Sequence, residues 1–400
     1  MTDRTIVDTL PSDQASVAAH PGNAPARAIS WVHIGDLHLD EADGWESLDR
    51  LRAIVAQIEA RLRDRVDFVY LPGDNANHGT PDQYRAMVDA LAGLTLPWRV
   101  IPGDHDIEPG DLAAYDAIIP EANRPEQEVI AAHRCVFLDV VSAGAGGPDF
   151  RLTMHDRNRI AEQLTRAAAE GQTPLVFMHA YPGDLAADGD VVARTFIDGG
   201  VAFVDTGHTH YNELLNDGRV IYGATRSTGQ IEEDGGRAGF AIVSIYDGVP
   251  SWRFRTLDAA WPHVQIVAPC DRRLVTRPAD HAQVPRPGRV TIVARVDGGA
   301  DDTVDETGVT LEHPDTSVAM TRGADGLWRG DVELPAGMHT LSVTSAGAID
   351  TIDLLVRDVD AIPKRRLATS PGQDCHAIGS WPIAGIDGAQ LGPNKNGRGW

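Results

Sequence analysis

Five short apolar segments, each ending in an aspartate or histidine cluster, constrain the fold of this chain more than any other feature. Stretches with the apolar spacing of amphipathic helices separate several of them, such as residues 48–62 after the first segment and 81–91 after the second. Strands that alternate with helices in this way predict a layered α/β domain. The segments end at Gly35-Asp36, Gly73-Asp74, Gly103-Asp104, His179 and Gly207-His208.

The polar clusters stand where the predicted strands stop, which places them together at one edge of the sheet. In open α/β sheets, ligands bind in the crevice beyond the carboxyl ends of the strands. Within an extended strand end, residues two apart face the same side, so Asp36 pairs with His38 and His208 pairs with His210. The five clusters are therefore predicted to converge on one site.

A single cluster of this kind has an ordinary structural explanation. A histidine at a strand end often packs or bonds locally, and an aspartate after glycine commonly caps a turn or a helix. Five clusters in succession, each at the end of a predicted strand, instead indicate a metal site, because carboxylate and imidazole groups are metal ligands.

The order D-x-H, G-D-x-x-N, G-D-H-D, H and G-H-T-H resembles the calcineurin-like metallophosphoesterase superfamily. Within it, the chain is most similar to bacterial cyclic-nucleotide and glycerophosphodiester phosphodiesterases. The resemblance covers roughly residues 29 to 257. It implies a layered αββα sandwich and a dinuclear metal centre that hydrolyses phosphate esters, with a metal-bridging hydroxide as the nucleophile.

The resemblance also implies a role for individual residues. His105 would sit beside the substrate phosphate and stabilise charge or protonate the leaving oxygen, and Asp106 would orient His105. The mixed carboxylate and imidazole ligands suit Mn, Fe, Zn or Co better than Ca or Mg. For the first metal, the implied ligands are Asp36, His38 and His210. For the second metal they are Asp104, His179 and His208, and Asp74 would bridge both metals.

Asp104 departs from the pattern of the superfamily, whose third motif usually has an asparagine at this position. With Asp36 and Asp74 it makes three carboxylates, which together with one hydroxide balance the charge of two divalent ions. A neutral centre attracts a phosphate anion less and holds its cations more strongly. We expect this change to favour a singly charged diester, a trivalent ion in one site, or both; neutral drift between ligands of equal shape is the alternative.

The net charge of the chain limits which classes of molecule it is expected to bind. The chain has 35 Lys and Arg against 58 Asp and Glu, a net charge of −23, and such a surface repels nucleic-acid backbones and anionic lipids. A small phosphate-ester substrate stays compatible, because bound cations reverse the sign of the charge locally. No stretch reaches the ~20 apolar residues of a membrane helix. We therefore expect no nucleic-acid partner and no membrane partner, and a nuclease is disfavoured.

Two further features predict a cytoplasmic location. The N-terminal region has no basic start followed by an apolar core, so no secretory signal is expected there. Cys135, Cys270 and Cys375 are odd in number and far apart, which favours buried thiols over a disulfide framework.

The composition changes after Pro262, where prolines become frequent. Period-2 alternation then begins at Val290 and predicts short strands of an immunoglobulin-like β-sandwich, a candidate surface for homo-oligomerisation. The predicted parts are a disordered N-terminal segment (1–28), the metallophosphoesterase domain (29–258), a linker (259–288), the β-sandwich (289–358) and a Gly/Pro-rich tail (359–400).

A phosphodiesterase acting on a small organic diester is the leading functional prediction. The alternatives are a phosphomonoesterase or nucleotidase and, in a different class, a non-catalytic metal-binding scaffold, since fold alone does not determine function. Asn77 is predicted to hydrogen-bond a metal ligand rather than to cap a turn. His78 faces either the pocket or solvent, and Arg226 is a candidate for contact with the substrate.

Overall fold

The computed structural model of the protein describes residues 28–231, 234–277, 279–298, 308–314, 316–358 and 390–391. The predicted N-terminal segment, most of the C-terminal tail and Cys375 lie outside these ranges. In chain order the helices are α1 (Glu46–Arg61), α2 (Pro81–Leu91), α3 (Ala113–Ile118), α4 (Met154–Glu170) and α5 (Gly189–Asp198).

The strands among the described residues fall into four sheets. In chain order they are β1 (Ala28–His33), β2 (Phe68–Leu71), β3 (Trp98–Val100), β4 (Gln127–Ile130), β5 (His133–Leu138), β6 (Thr173–Met178), β7 (Phe203–Thr206), β8 (Glu213–Asn216), β9 (Ile221–Ala224), β10 (Gly239–Tyr246), β11 (Val249–Thr256), β12 (His263–Ala268), β13 (Gly288–Asp297), β14 (Thr310–His313), β15 (Thr316–Ala319), β16 (Thr321–Arg322), β17 (Trp328–Leu334), β18 (Gly337–Ser345), β19 (Ala348–Val356) and β20 (Gln390–Leu391).

Two of the sheets form the α/β unit. One has the order β11-β10-β1-β2-β3, and the other has the order β20-β8-β9-β7-β6-β5-β4. Their central strands are parallel, as in β1 with β2, β2 with β3, and β5 with β6 and β7. Parallel neighbours bring successive strand ends to the same edge, so this topology positions the loops that carry the aspartates and histidines.

The core of the α/β unit lies between the two sheets and beneath the helices that cover them. Trp31 of β1 stacks on Phe68 of β2 and meets the edges of Phe177 and Phe203 from the other sheet. Apolar side chains of α1 and α2 pack on the outer face of the first sheet, and those of α4 and α5 pack on the second. The predicted αββα layering is therefore confirmed.

The C-terminal strands form two four-stranded sheets around one apolar core. Their orders are β12-β13-β17-β16 and β15-β14-β18-β19, and every pairing in them is antiparallel. This β-rich region agrees with the predicted β-sandwich, while its immunoglobulin-like topology stays a prediction. Alternating burial in β17, where Trp328, Val332 and Leu334 face inward, explains why the period-2 pattern was readable.

The region predicted as a linker, 259–288, begins with structure of its own. Strand β12 pairs with β13 and places Val264 and Ile266 in the core of the C-terminal sheets. The prolines that suggested a loose connection come after this strand or at its end. Their frequency therefore did not indicate where the strands of the C-terminal sheets begin. In the described part of the chain, Cys135 and Cys270 are buried free thiols, as expected. None of the described helices has the length and apolarity needed to cross a bilayer.

Candidate metal centre

The loops after the central strands hold an unusual backbone conformation. Four of the seven predicted ligands have positive φ: His38 (43°), Asp74 (49°), His208 (65°) and His210 (63°). This left-handed region is uncommon for residues with a side chain and costs about 1–3 kcal/mol at each position. Since the surrounding structure must maintain that strain at four neighbouring positions, the conformation points to a functional constraint on these loops.

Two glycines of the motifs allow the loops to approach one another. A Cβ atom at Gly103 would lie 2.3 Å from Asp74 Oδ1, and one at Gly207 would lie 2.3 Å from Asp36 Oδ1. Both distances are far shorter than a van der Waals contact. The glycines are therefore required by the packing of backbone against the carboxylates.

The first donor group contains Asp36, His38, Asp74 and His210, whose candidate ligand atoms all lie within 4.8 Å of one another. His38 Nε2 lies 2.9 Å from His210 Nε2 and 3.6 Å from Asp74 Oδ2. His210 Nε2 lies 3.6 Å from Asp36 Oδ2. The motifs D-x-H and H-x-H, which are far apart in the chain, thus meet in space.

The second donor group contains Asp74, Asp104, His179 and His208, again within 4.8 Å of one another. Asp104 Oδ1 lies 3.1 Å from His179 Nε2 and 3.3 Å from His208 Nδ1. His179 Nε2 is also 3.5 Å from Asp74 Oδ2. Asp74 therefore belongs to both groups, which is the arrangement needed for a carboxylate that bridges two cations.

Hydrogen bonds to the Nδ1 atoms of His179 and His38 orient these two candidate ligands. His179 Nδ1 donates to the Pro72 carbonyl at 2.8 Å, which leaves its Nε2 facing the carboxylates. His38 Nδ1 lies 3.2 Å from Asn77 Oδ1, while the Asn77 amide nitrogen donates to Asp40 at 2.9 Å. Asn77 thus contacts a candidate ligand, as the sequence predicted, and leaves the His38 Nε2 lone pair facing the site.

The donor set fits cations. Asp36 is fully buried, and its Oδ1 has no hydrogen-bond partner among the described residues, although its Oδ2 accepts the His208 backbone N–H at 2.7 Å. A buried carboxylate oxygen without a partner is costly. The Nε2 atoms of His38 and His210 lie 2.9 Å apart, within reach of a hydrogen bond from one ring to the other or of one shared cation. A cation coordinated by Asp36 would satisfy its unpartnered oxygen.

The electrostatics of the cluster favour positive charge. Burial lowers the pKa of His38 to about 4, so this side chain is a neutral ligand near pH 7. Burial tends to raise the pKa of Asp74, but attraction to His179 outweighs it and the pKa falls to about 2. For His179, burial opposes protonation, yet Asp74 and Asp104 hold its pKa well above the ordinary value.

His105 lies at the rim of the cluster and is held through Nδ1. That atom is 2.9 Å from the Asn77 carbonyl oxygen and 3.1 Å from Glu108 Oε1, both of which are acceptors. The proton of a neutral His105 ring therefore sits on Nδ1. The ring centroid is 4.6 Å from that of His38, so His105 stands directly beside the first donor group.

Asp106 has a different role from the predicted one. Its carboxylate is buried and accepts backbone N–H groups of Gly103 (2.9 Å), Asn75 (3.2 Å) and Ala76 (3.1 Å), as well as the Tyr84 hydroxyl at 2.9 Å. This corrects the expectation that Asp106 orients His105. Instead, Asp106 ties the loop after β3 to the loop after β2. Burial, followed by repulsion from Asp74, raises its pKa to about 6.

Glu108 is the residue near the site that the sequence analysis missed. Besides its contact with His105, its Oε2 lies 2.7 Å from Nδ1 of His78, which is exposed. Spacing was the available signal, because Glu108 follows His105 by three residues in a turn. Arg226, the candidate for substrate contact, places its guanidinium 4.3 Å from the centroid of the Phe254 ring, near the C-terminal sheets.

The chain is similar to known proteins over part of its length. Residues 30–212 match the calcineurin-like phosphoesterase family. Over 162 residues the chain is 30% identical to the glycerophosphodiester phosphodiesterase GpdQ of Enterobacter lignolyticus (strain SCF1), a match that covers 38% of this chain and 56% of that protein. The chain thus spans little more than half the length of this relative.

Among the solved structures that are similar to this chain are two of low sequence identity. A dimetal phosphatase from Danio rerio is 16% identical, with a TM-score of 0.44, and the match covers 57% of this chain and 96% of that one. GAP50 of Plasmodium, described as the anchor in the inner membrane complex, is 15% identical, with a TM-score of 0.43, covering 58% and 86%.

Proposed function

Residues 30–212 form a calcineurin-like phosphoesterase domain, and from that premise we propose that the protein is a metal-dependent phosphodiesterase acting on a small organic diester. The observation that carries the proposal is the pair of four-residue donor groups that share Asp74. A shared carboxylate between two sets of imidazole and carboxylate donors suits a dinuclear site. Buried donors held by hydrogen bonds also argue against a scaffold that has lost its chemistry.

Each donor group would hold one cation. When bound, two such ions supply an activated water and neutralise the charge that develops on the phosphoryl oxygens. The chain's own contribution is to hold the donors in place: the Pro72 carbonyl fixes the His179 ring, and Asn77 fixes the His38 ring. Loss of such a hydrogen bond to the ring nitrogen that faces away from the site typically lowers metal affinity or activity by about 10- to 100-fold.

His105 is the proposed group for proton transfer. With its Nδ1 directed at the Asn77 carbonyl and Glu108, the other ring nitrogen remains for the leaving oxygen of a substrate phosphate. Attraction to Asp74, the hydrogen bond to Asn77 and further negative neighbours outweigh burial and raise the pKa of His105. In that role the His105 ring must carry a proton on Nε2.

Asp104 supports a diester over a monoester. It supplies the third carboxylate of the cluster, in contact with His179 and His208. Three carboxylates reduce the net positive charge available to a substrate, and this reduction disfavours a doubly charged monoester more than a singly charged diester. The similarity to a glycerophosphodiester phosphodiesterase supports the same class of substrate.

The proposal is tested by hydrolysis of bis-(p-nitrophenyl) phosphate and p-nitrophenyl phosphate with Mn, Fe, Zn or Co supplied. Faster turnover of the diester, lost on chelation and restored by metal, is the expected result. Preference for the monoester would replace the phosphodiesterase with a phosphomonoesterase or nucleotidase. An absence of hydrolysis with every metal would favour the scaffold.

The variant Asp104→Asn tests the charge argument separately. It keeps the shape of the side chain and removes one negative charge, so the ratio of monoester to diester turnover should rise. Asp82→Asn, an exposed aspartate on α2, is the matched control and should leave the ratio unchanged. An unchanged ratio and metal content in Asp104→Asn would mean that this residue does not determine the preference.

A further inference from the structure

A polar contact joins the two sheets of the α/β unit within a core that is otherwise largely apolar and aromatic. Asp205 of β7 accepts the Trp31 indole N–H of β1 on Oδ2 at 2.5 Å, and its Oδ1 lies 2.6 Å from His33 Nδ1. All three side chains are fully buried. Trp31 and His33 are two residues apart in β1, so both point into the space between the sheets. We call Trp31, His33 and Asp205 the inter-sheet contact.

Both donors of the inter-sheet contact depend on the Asp205 carboxylate. Among the described residues, His33 Nε2 has no hydrogen-bond partner, so the polar attachment of this ring is made through Nδ1. Trp31 packs among phenylalanine rings of both sheets, which have no acceptor for its N–H. A buried donor left without an acceptor costs about 1–3 kcal/mol. Asp205 therefore holds two side chains of the opposite sheet at once.

The inter-sheet contact lies just before the strand ends that lead to the candidate ligands. Along the chain, His33 precedes Asp36 by three residues, and Asp205 precedes His208 by three residues. An extended chain rises about 3.3 Å per residue, so three residues span at most about 10 Å. The contact is therefore close to the candidate metal centre on both sheets.

Each donor group takes its side chains from both sheets. The aspartates and His38 follow β1, β2 and β3 of one sheet. The other sheet supplies His210 to the first group, and it supplies His179 and His208 to the second. Metal ligands must be placed to within a few tenths of an ångström, about 0.2 Å for the distance to the ion. The spacing of the two sheets therefore determines whether either group can close around a cation.

We propose that Asp205 is a positioning residue of the metal centre, which fixes the spacing of the two sheets and thereby the geometry of both donor groups. Aromatic packing alone is weakly directional and tolerates small shifts. Two short hydrogen bonds to one carboxylate restrict distance and direction together. The inference rests on the metal centre proposed above. Among the described residues, no hydrogen bond or ion pair joins Asp205 to a candidate ligand, so it acts through the strands.

Hydrogen bonds at the centre itself require the same sheet spacing. The His208 backbone N–H donates across the sheets to Asp36 Oδ2 at 2.7 Å, and His179 Nδ1 donates to the Pro72 carbonyl at 2.8 Å. Both bonds join a residue after β6 or β7 to a residue after β1 or β2. A shift between the sheets would lengthen them and move the histidine ligands away from the carboxylates.

Titration of metal-free, full-length protein with Mn²⁺, followed by the EPR signal of the free ion, tests the proposal without an assay of hydrolysis. Asp205→Asn keeps the shape of the side chain, but its amide NH₂ faces one of the two N–H donors. We expect the affinity for Mn²⁺ to fall by about tenfold or more. The EPR spectrum of the bound ions should change too, because their spacing changes. Unchanged affinity and an unchanged spectrum would overturn the proposal.

Trp31→Phe separates geometry from charge. This variant removes one donor and keeps the Asp205 carboxylate, so the affinity for Mn²⁺ should fall in the same direction by a smaller factor. Wild-type affinity in folded Trp31→Phe would assign any loss in Asp205→Asn to the buried charge and overturn the positioning role. Trp31→Phe also decides the question alone if Asp205→Asn does not fold.

Asp350→Asn is the matched control for a general loss of stability. Asp350 is a buried carboxylate at the junction between the α/β unit and the C-terminal sheets, where it pairs with Arg253 and accepts the Ile266 N–H at 2.7 Å. Its loss should lower the free energy of unfolding and leave the affinity for Mn²⁺ at the wild-type value. Equal losses of affinity in Asp350→Asn and Asp205→Asn would overturn the proposal.

The same titration separates this inference from the proposed function. A wild-type protein that binds no Mn²⁺ or other supplied metal would contradict the metal centre, and the role of Asp205 with it. Wild-type binding that persists unchanged in Asp205→Asn and Trp31→Phe would contradict the role of Asp205 alone.

Discussion

The metal centre and the junction with the C-terminal sheets both bury charged side chains, but in different ways. At the junction, Arg295 pairs with Asp297 at 2.6 Å and also donates to the Ser244 hydroxyl and the Arg65 carbonyl. At the metal centre, three carboxylates crowd together, and Asp36 Oδ1 has no hydrogen-bond partner among the described residues. The first arrangement is complete within the protein. The second leaves a buried carboxylate oxygen without a partner, which the proposed cations would supply. This difference separates a structural charge network from a functional one.

The largest expected effect comes from Asp74→Asn, because this residue belongs to both donor groups. Loss of the shared carboxylate should lower phosphodiester hydrolysis by about 1000-fold or more, since bound cations contribute several kcal/mol to the transition state. The metal-free variant should be less stable than the metal-free wild type, because the attraction between Asp74 and His179 that lowers the Asp74 pKa is lost. Steady-state kinetics and urea unfolding measure the two effects.

Arg295→Met is the converse experiment at the junction. Breaking a buried pair leaves the Asp297 carboxylate uncompensated and should lower the free energy of unfolding by about 3–5 kcal/mol. The turnover of folded protein should stay unchanged. Arg289→Met, an exposed arginine on the same strand, is the control. A stable Arg295→Met variant with impaired turnover would contradict the account, because the junction would then serve the reaction and not the stability of the fold.

Asp106→Asn tests a residue that combines features of the two regions. Asp106 is buried at the metal centre, but its carboxylate is fully hydrogen-bonded, like the charged pair at the junction. The amide NH₂ would face N–H donors that the carboxylate now accepts, so the free energy of unfolding should fall by about 1–3 kcal/mol. Urea denaturation measures the loss. If stability is retained and only turnover falls, Asp106 serves the chemistry and not the loops.

The smallest expected effect is a pH dependence at the junction. His263 is buried, and its pKa is held well below the ordinary value by burial and by neighbouring arginines. The unfolded chain binds this proton below about pH 6.5 and the folded chain does not, so stability falls as pH decreases, by at most about 1.4 kcal/mol per pH unit. His263→Gln should lose that component of the pH dependence, as urea titrations at pH 7 and pH 5.5 would show. Identical pH dependence in both proteins would contradict it.

Much of the α/β unit could be predicted because its signals are local. Apolar runs such as β2 and β6 end abruptly in glycine, aspartate or histidine, and parallel topology then brings those ends together. Strand β12 was missed because the nearby prolines suggested a loose connection. Its place in the sheet depends on β13, a partner more than 20 residues away.

Side-chain partners were harder to predict than positions. Asp106 stands beside His105 in the chain, but its carboxylate turns to the buried backbone of two loops, where N–H groups need an acceptor. Arg226 follows a strand end like the site residues, yet its guanidinium lies over an aromatic ring on β11, at the junction. Sequence spacing shows which residues are near an edge, whereas burial and unmet hydrogen bonds decide where each side chain points.

The most direct test is the metal content of the wild type and of Asp74→Asn after purification with Mn, Fe, Zn or Co and removal of free ions. Elemental analysis of the wild type should find two metal ions per chain, and Asp74→Asn should retain fewer than one. A wild-type protein that binds no metal, or an Asp74→Asn variant that still holds two ions, would contradict the shared-carboxylate centre.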